Sequence, residues 1–564
     1  MAEKKYGSNI ASLRLSQLLL YVGPLVTLVV NPWSNYDPIS LPKMLVLLIF
    51  SFATFSVILS AGLFSHKSLP KYLVCLISLF VLGLFLSLLF SGAPISQQIW
   101  GSFGRNTGLL TYLSLTLIFV TLVVLRSHLL YSEMINYLMW TSFPMTFYCV
   151  IQYLDMDPFP WSERGVFGTL GNINFLSAFL GMTSVLLLIQ SLNSKVSVFS
   201  RIIYSVKLLI DLFLITSTGS IQGPIIFIVG LSIFVLVYLA KLRRARNISL
   251  IAFLTILIVA LYLTVSGLNN SGPFSKLLFQ PSFLFRQDYW HAGLDMTMKK
   301  PFFGVGLDSY GDWYREVRGE VSTLRTGPGR VSNTAHNIFL DISSNGGLIL
   351  GAAYLCLVLL TLLVGFKTVL FQKNLFTYQT MTFCVWIAYQ VQSLVSINQI
   401  GIGIWGWILT GMVIGMHLLR EEDAESTPPS VNSRNFRRQR IQFGARDSLA
   451  LAMGGIVGFT LGIVPLQADA AYRNASSSGD IGKIRIAVMK LGATQFHREL
   501  ALDFALKNNL AGETKTLAEE LVRDYPRNYF GWRVLSVSTA NTDQDRLIAL
   551  NQARALDPYN PELK

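Results

Sequence analysis

Residues 248–266 read ISLIAFLTILIVALYLTVS, a run with no charged side chain. It is long enough to cross the hydrocarbon core of a bilayer as a helix, which takes ~20 apolar residues. Runs of this kind recur along the chain, at 15–30, 44–64, 72–91, 109–128, 135–153, 174–190, 203–219, 222–240, 345–366, 376–395, 399–418 and 448–466. With 52% hydrophobic and 13% charged residues over 564 positions, the chain is too apolar for one soluble core. The expected fold is an all-α polytopic membrane protein of about thirteen transmembrane helices.

The first run follows Lys4, Lys5 and Arg14 but has no small-residue cleavage site, and it leads through Pro32-Trp33 into a second run. It reads as a retained helix rather than a signal peptide. The net charge of +14 would suit nucleic acid, but the basic residues sit in short clusters between apolar runs, where orientation signals lie. Nucleic acid is therefore not an expected partner. Lys67 and Lys71, Arg126, Lys195 with Arg201 and Lys207, Lys241 to Arg246, Lys367 with Lys373, and Arg434 to Arg440 all fall on the N-terminal side. The opposite loops carry little beyond Lys43, Arg105 and Arg164. The positive-inside rule then makes the N-terminus cytoplasmic, and an odd number of spans puts the C-terminus outside. Lys207 and Asp211, within 203–219, stand one helical turn apart and read as a local ion pair rather than a proton carrier. Cys75, Cys149, Cys356 and Cys384 all lie within apolar runs and read as packing residues.

The boundaries follow from these runs. Residues 1–418 form the membrane domain, with an extracytoplasmic loop at 267–344; 419–447 is a charged, Pro/Ser-bearing cytoplasmic linker; 448–466 is a last span; and 467–564 is an outer helical tail. In the tail, Asp524-Tyr-Pro-Arg-Asn528 recurs in form at Leu556-Asp-Pro-Tyr-Asn560. Two readings stand side by side, a degenerate tetratricopeptide pair that binds a protein partner and an ordinary helical hairpin.

The polar character of the chain gathers in the loops expected outside. These are Ile99 to Gly108, Glu163 to Phe175 and, above all, Phe285 to Leu350, which closes on His336-Asn337 where the next apolar run begins. Arginines there suit a phosphate-bearing substrate carried by lipid, and an imidazole can accept a proton near neutral pH. Glycines let the backbone approach a ligand, although Gly101, Gly104 and Gly108 equally suit turns and Arg105 can snorkel at the interface. Tyr289 and Trp290 offer flat faces for sugars, or anchor the loop in the interfacial aromatic belt. Asp288, Asp308, Asp312, Glu316 and Asp341 form no compact cluster and, lying among arginines, read as ion-pair partners; no metal and no cofactor is expected. Gly304-Val-Gly306 reads as a tight turn.

Four blocks together resemble the O-antigen ligase and polymerase superfamily. They are GRxxGxLTYL from Gly104, RGVFGTLGNINFLSAFL from Arg164, RQDYWxxGLxM with KPFFGVGLDSYG from Arg286 to Gly311, and AHNIFLDISSNGGLIL from Ala335. The likeness spreads over most of 15–418. It implies a glycosyltransferase of the bacterial cytoplasmic membrane that moves a glycan from undecaprenyl diphosphate to an acceptor on the outer face, the acceptor being a glycan, a lipid or a protein. The tail lies outside the common core and is similar to the tetratricopeptide extensions of some members. Two departures stand out. Gly171-Asn-Ile-Asn174 replaces a Gly-Asn-Pro-Asn turn, and Ser220-Ile221-Gln222-Gly223 lacks an arginine that the family often places there for the diphosphate.

Under that resemblance Arg286 takes the diphosphate, and His336 acts as base or positions the acceptor. Arg105, Arg164, Asn172, Asn174, Tyr289, Trp290 and Asn337 bind substrate, with Arg105 or Arg164 supplying the missing charge. A ligase, a polysaccharide polymerase and a protein O-oligosaccharyltransferase share this donor chemistry. A transporter would need polar groups through the bilayer midplane, whereas a scaffold acting through the tail would not need a loop bearing Arg and His. The orientation is open to a direct check: a reporter fused after Lys564 is expected to be active only outside the cytoplasm and one near Ser430 only inside. Matching locations would remove the last crossing.

Overall fold

The computed structural model describes residues 2–64, 69–161, 164–242, 246–278, 281–370, 372, 374–425 and 443–563. Helices dominate, and no strand forms among the described residues. The protein is an all-α polytopic membrane protein. A helix occupies the place of every apolar run, and nine segments among the described residues are long and apolar enough to cross a membrane. The other four, Leu109–Val124, His128–Tyr153, Val198–Ser217 and Tyr378–Ser393, are shorter or more polar. A helix packed inside a bundle can carry polar groups that neighbouring helices satisfy, as in the first, second and last of these; Val198–Ser217 is more exposed, and its charged Lys207 and Asp211 are buried against each other. Asn247–Gly267 is the opposite case, with none of its surface buried in the fold, as a helix surrounded by lipid requires.

Alternate loops gather at the same end of the bundle. Trp33 packs edge-on to Phe159, Tyr36 lies against Phe103, Gln97 donates to the Asp308 carbonyl, and Asn398 donates to Tyr112. At the other end Ser60 donates to Asp447, Arg126 pairs with Glu422, and Lys241 donates to the carbonyl of Gln372. Of the basic clusters, Lys67, Arg243, Arg244, Lys373 and the 434–440 run lie outside the described residues.

Three element ends differ from the sequence expectation. The first helical stretch is broken into Ala2–Leu19 and Val22–Leu28. Lys43 is buried there and donates to the carbonyls of Thr27 at 2.7 Å and Val29 at 2.9 Å, a cation on the orphan acceptors of a helix C-terminus. Ile400–Glu425 runs past 419, so the linker begins later than its charge suggests. The last helix spans Ala445–Ser478, one rod from the bundle into the tail. Its Gly454, Gly458 and Gly462, four residues apart, face the helix Ser40–Ser60; a Cβ on Gly454 or Gly458 would stand 2.4 Å from the carbonyl oxygen of Phe52 or Leu48. Small residues at this spacing let two backbones touch, and dispersion between them replaces the hydrophobic drive that lipid cannot supply.

The tail stacks Gln495–Lys507 on Ala511–Asp524, and then Tyr529–Val537 on Asp543–Leu556, around a core of its own that includes Ala501, Leu517, Leu521 and Leu535. The two hairpins follow one another at close to the ~34 residues of a helical repeat. They are tied to the bundle by Asp469. Its buried carboxylate accepts from Asn35 Nδ2 at 3.1 Å and from the backbone of Tyr36 at 2.6 Å, and meets His497 Nε2 at 3.0 Å.

Within the bundle the expected pair is present. Lys207 Nζ lies 2.6 Å from Asp211, and Thr146 completes the group by donating to Asp211 at 2.6 Å and accepting from Lys207 at 2.8 Å. Breaking a buried pair from one side leaves a bare charge, whereas removing both partners does not. Asp211→Ala is expected to destabilise the protein by about 3 kcal/mol. The double change Lys207→Met with Asp211→Leu should cost much less, and thermal unfolding of the purified variants in detergent measures both.

Candidate active site

The long loop is held by a break in the helix that follows it. Ile338–Leu370 is interrupted at Gly347, whose φ of 80° lies in the left-handed region. The gap receives the turn Pro301 to Gly306. Val305 donates to the Ser344 carbonyl at 2.8 Å, Gly306 to Asn345 at 3.0 Å, and Leu348 to Pro301 at 2.7 Å. A Cβ on Gly304 would meet the Asn345 oxygen at 2.3 Å, and one on Gly347 the Phe302 oxygen at 2.4 Å. The glycines of both sequence blocks are therefore fixed by one backbone-on-backbone contact.

Arg105 fastens the loop from the other side. It is 9% exposed; its Nε lies 3.3 Å from Asp308 and its Nη2 3.7 Å from Asp341, while Nη1 donates to the Asn333 carbonyl at 2.7 Å. Asp308 in turn accepts from the backbone of Ser102 and Thr107, and Asp341 from Thr334 Oγ1 and the Ala335 N–H. Burial alone would favour loss of the Arg105 proton, but the two carboxylates outweigh it and raise its pKa. Asp288 similarly pairs with Arg325, and Glu316 with Lys299 and Arg527. Asp312 instead accepts from Gln97 Nε2 at 2.7 Å. Among the described residues no group of three or more His, Cys, Asp or Glu side chains is arranged to hold a metal ion.

His336 stands where these threads meet. Its φ of 50° is unusual for a residue with a Cβ, and the turn is held by its own N–H donating to Thr334 Oγ1 at 3.0 Å. The imidazole stacks on Tyr289 with ring centres 5.4 Å apart and 27° between planes. Burial, then Arg286, then Arg105 push its pKa down to about 4, so the ring is neutral at physiological pH. Tyr289 lies edge-on to Tyr314 at 5.6 Å, and its carbonyl accepts from Tyr310 at 2.6 Å. Asn337 accepts from the N–H groups of Phe339 and Leu340, and so caps the helix that His336 precedes.

His336, Arg286, Tyr289 and Arg105 thus share one neighbourhood. Trp290 follows Tyr289 on the helix Pro281–Lys299, where successive side chains point ~100° apart. Arg164 is exposed in the loop after His128–Tyr153. Asn172 caps Ile173–Leu192, and Asn174 accepts from Ser220 Oγ at 2.8 Å, which ties the Gly171 turn to the segment lacking the family arginine. Among the described residues no hydrogen bond or ion pair joins Arg164, Asn172 or Asn174 to the His336 group. Arg330 was not singled out by its sequence context. Its guanidinium lies 4.5 Å from the ring centre of Phe285 and its charge acts on Tyr289, so it is a second cation beside Arg286.

A family model described as O-Antigen ligase matches residues 206–355, the window that holds Arg286, Tyr289, Trp290, Arg330, His336 and Asn337. Over that window the chain is similar to the O-antigen ligase family, which supports the resemblance to the ligase and polymerase superfamily. A search of the curated proteins found no match. The blocks around Gly104 and Arg164 lie before the matched window. The matched family supports a multi-pass, glycosyl-transferring enzyme of the ligase or polymerase type in the bacterial inner membrane, acting on a lipid-linked glycan donor and an acceptor.

The electrostatics of His336 can be measured without turnover. Arg286→Gln removes a repelling cation and is expected to move the His336 pKa upward from about 4. Imidazole NMR of selectively labelled protein would follow it, and an unchanged titration would leave burial and Arg105 as the causes.

Proposed function

We propose that this protein transfers a glycan from a polyprenyl diphosphate carrier, undecaprenyl diphosphate, to an acceptor hydroxyl at the outer face of the membrane. The observation that carries this reading is the neutral imidazole of His336, held between Tyr289 and the cations Arg286 and Arg105 at the mouth of a membrane helix. In the reaction the acceptor oxygen bonds to the anomeric carbon and the bond from that carbon to the diphosphate oxygen breaks. The hydroxyl proton passes to His336, and the leaving polyprenyl diphosphate keeps the electron pair. Such a leaving group is already stable, so the protein chiefly supplies positive charge and a proton acceptor.

The depressed pKa of His336 fits this sequence of events. Before the donor binds, burial and the nearby cations make it a poor base. A bound diphosphate sets negative charge against those cations and raises the imidazole pKa, so proton abstraction is favoured once donor is in place. Arg286 holds the diphosphate, with Arg330 beside it. Arg105 is committed to Asp308 and Asp341 and acts by fixing the loop. Tyr289 positions the imidazole by stacking, and Asn337 sets the helix start. Arg164, Asn172, Asn174 and Trp290 belong to the path of the longer substrate. Thirteen crossings with a cytoplasmic N-terminus place loop and tail outside. The ligase, polymerase and protein-glycosylating readings differ only in the acceptor, and the docked tail favours an enzyme over a scaffold.

Two measurements test this. Arg286→Ala should weaken donor binding as well as turnover, with Arg286→Lys recovering only part, since a point charge cannot make the bidentate contact. His336→Ala should leave donor binding nearly intact while turnover falls by roughly 10²–10⁴-fold, the scale for a lost general base. Donor affinity lost equally in both would move His336 into the diphosphate site. Transfer in detergent should also survive excess chelator, and rescue by magnesium after EDTA would make the loop carboxylates metal ligands.

A further inference from the structure

A chamber of about 460 Å³ lies between the long loop and the C-terminal tail, within the size range of small-molecule sites. One wall comes from residues 96–103, 308–315 and 331–333, and the other from 492–499 and 525–530 of the tail. The two walls are locked together. Arg318, itself buried, donates from Nη2 to both carboxylate oxygens of Asp557 at 2.7 and 2.8 Å, and Arg527 lies 3.5 Å from the ring centre of Trp313 and pairs with Glu316. Asp557 also pairs with Arg315, and such buried, charge-assisted contacts hold the two walls together, so the chamber is a built feature of the fold.

Its lining has a definite chemistry. Phe103 of the membrane domain stacks on Phe496 of the tail at 4.2 Å, and Tyr529 carries Arg315 over its ring at 4.3 Å. Between these aromatic surfaces stand the carboxylates of Asp312 and Glu499. The charge of Arg315 is taken up by Asp557 at 3.0 Å. The Ser102 hydroxyl lies buried at the wall without a hydrogen-bond partner among the described residues. Burial raises the pKa of Asp312 to about 6 and raises that of Glu499 as well. Acidic walls disfavour a phosphate, and the density of polar groups disfavours a purely apolar ligand. A pyranose ring meets both demands. Its C–H face packs on an aromatic ring, and its hydroxyls donate to carboxylates.

The chamber also adjoins the reaction centre. Asn333 and Asp308 line it, and both bind Arg105, whose other partner Asp341 holds Thr334 and Ala335, the residues leading into His336. We propose that this chamber is a glycan subsite, built half from the loop and half from the tail, which holds sugar residues of the donor or acceptor chain away from the reacting bond. This rests on the glycosyl-transfer reading above, and it gives the tail a direct part in choosing the glycan.

The test uses full-length protein in nanodiscs and reads binding rather than turnover. The probes are oligosaccharides of a few sugars, released by mild acid in one arm from the lipid-linked glycan of the source cells and in the other from their envelope acceptor fraction. Saturable binding by calorimetry is expected for wild type and for His336→Ala with at least one probe, and the arm that binds identifies the source. Phe496→Ala and Glu499→Gln should weaken that binding by about tenfold each, as loss of one aromatic or charge-assisted contact does. Glu499→Gln preserves shape, and an unchanged melting temperature separates lost binding from lost fold. Absence of saturable binding in both arms, or binding indifferent to both substitutions, overturns the subsite. Should the probes bind as expected while His336→Ala still transfers at the wild-type rate, the proposed reaction falls and the subsite stands. If transfer depends on His336 but no probe binds, the reverse holds.

Discussion

The buried guanidinium of Arg105 between Asp308 and Asp341 is the contact on which the working end of this protein depends. Each partner belongs to a different piece of chain. Arg105 sits in the turn between the short helix Ile95–Trp100 and Leu109–Val124, Asp308 follows the Gly304 turn, and Asp341 lies in the first turn of the helix that ends the long loop. A charge buried at this depth is tolerated only beside opposite charge, and all three groups also bond to backbone. The loop therefore cannot drift from the bundle without exposing or stranding a charge. The strained backbone of His336 is stored against the same framework, since Thr334 holds its N–H and Asp341 holds Thr334.

A second set of buried charges does the same for the tail. Asp469 gathers the loop of Asn35 and Tyr36 with His497, and Arg318 meets Asp557 across the domain boundary. The glycine ridge of Ala445–Ser478 seats the helix that carries the tail on Ser40–Ser60. Apolar packing fixes where the tail stands, and ion pairs fix which way it faces. The outcome is a chamber whose two walls come from residues more than a hundred positions apart.

The membrane helices were legible because lipid demands long apolar runs, and each expected run became a helix. The position of His336-Asn337 at the start of a helix was legible too, as was the Lys207–Asp211 pair, since both are local. Long-range pairing was not. Arg105 reads in sequence as a cation free for a ligand, and only the fold places Asp308 and Asp341 against it. Gly346-Gly347 looks like packing inside a span until the Pro301 turn is seen filling the break at Gly347. Arg330 escaped notice because its partners, Phe285 and Tyr289, lie on a helix some forty residues earlier. The unperturbed pKa expected of His336 was displaced for the same reason: burial and two arginines distant in sequence lower it.

That displacement links structure to order of binding. A histidine at its ordinary pKa would serve as a base whether or not donor were present, and would be partly protonated, and so partly useless, just below neutrality. Set beside Arg286 and Arg105, it stays unprotonated but weakly basic until negative charge arrives. In the proposed reaction Arg286, which takes the diphosphate, also helps to lower the His336 pKa, so donor binding would relieve that part of the restraint while burial remains. An acceptor, or a water molecule, that reached His336 ahead of the donor would meet a poor proton acceptor. Under the proposed reaction the base is therefore weak until the donor is bound. This follows from placing one imidazole within reach of two guanidinium groups, one pinned by carboxylates and the other positioned for the substrate.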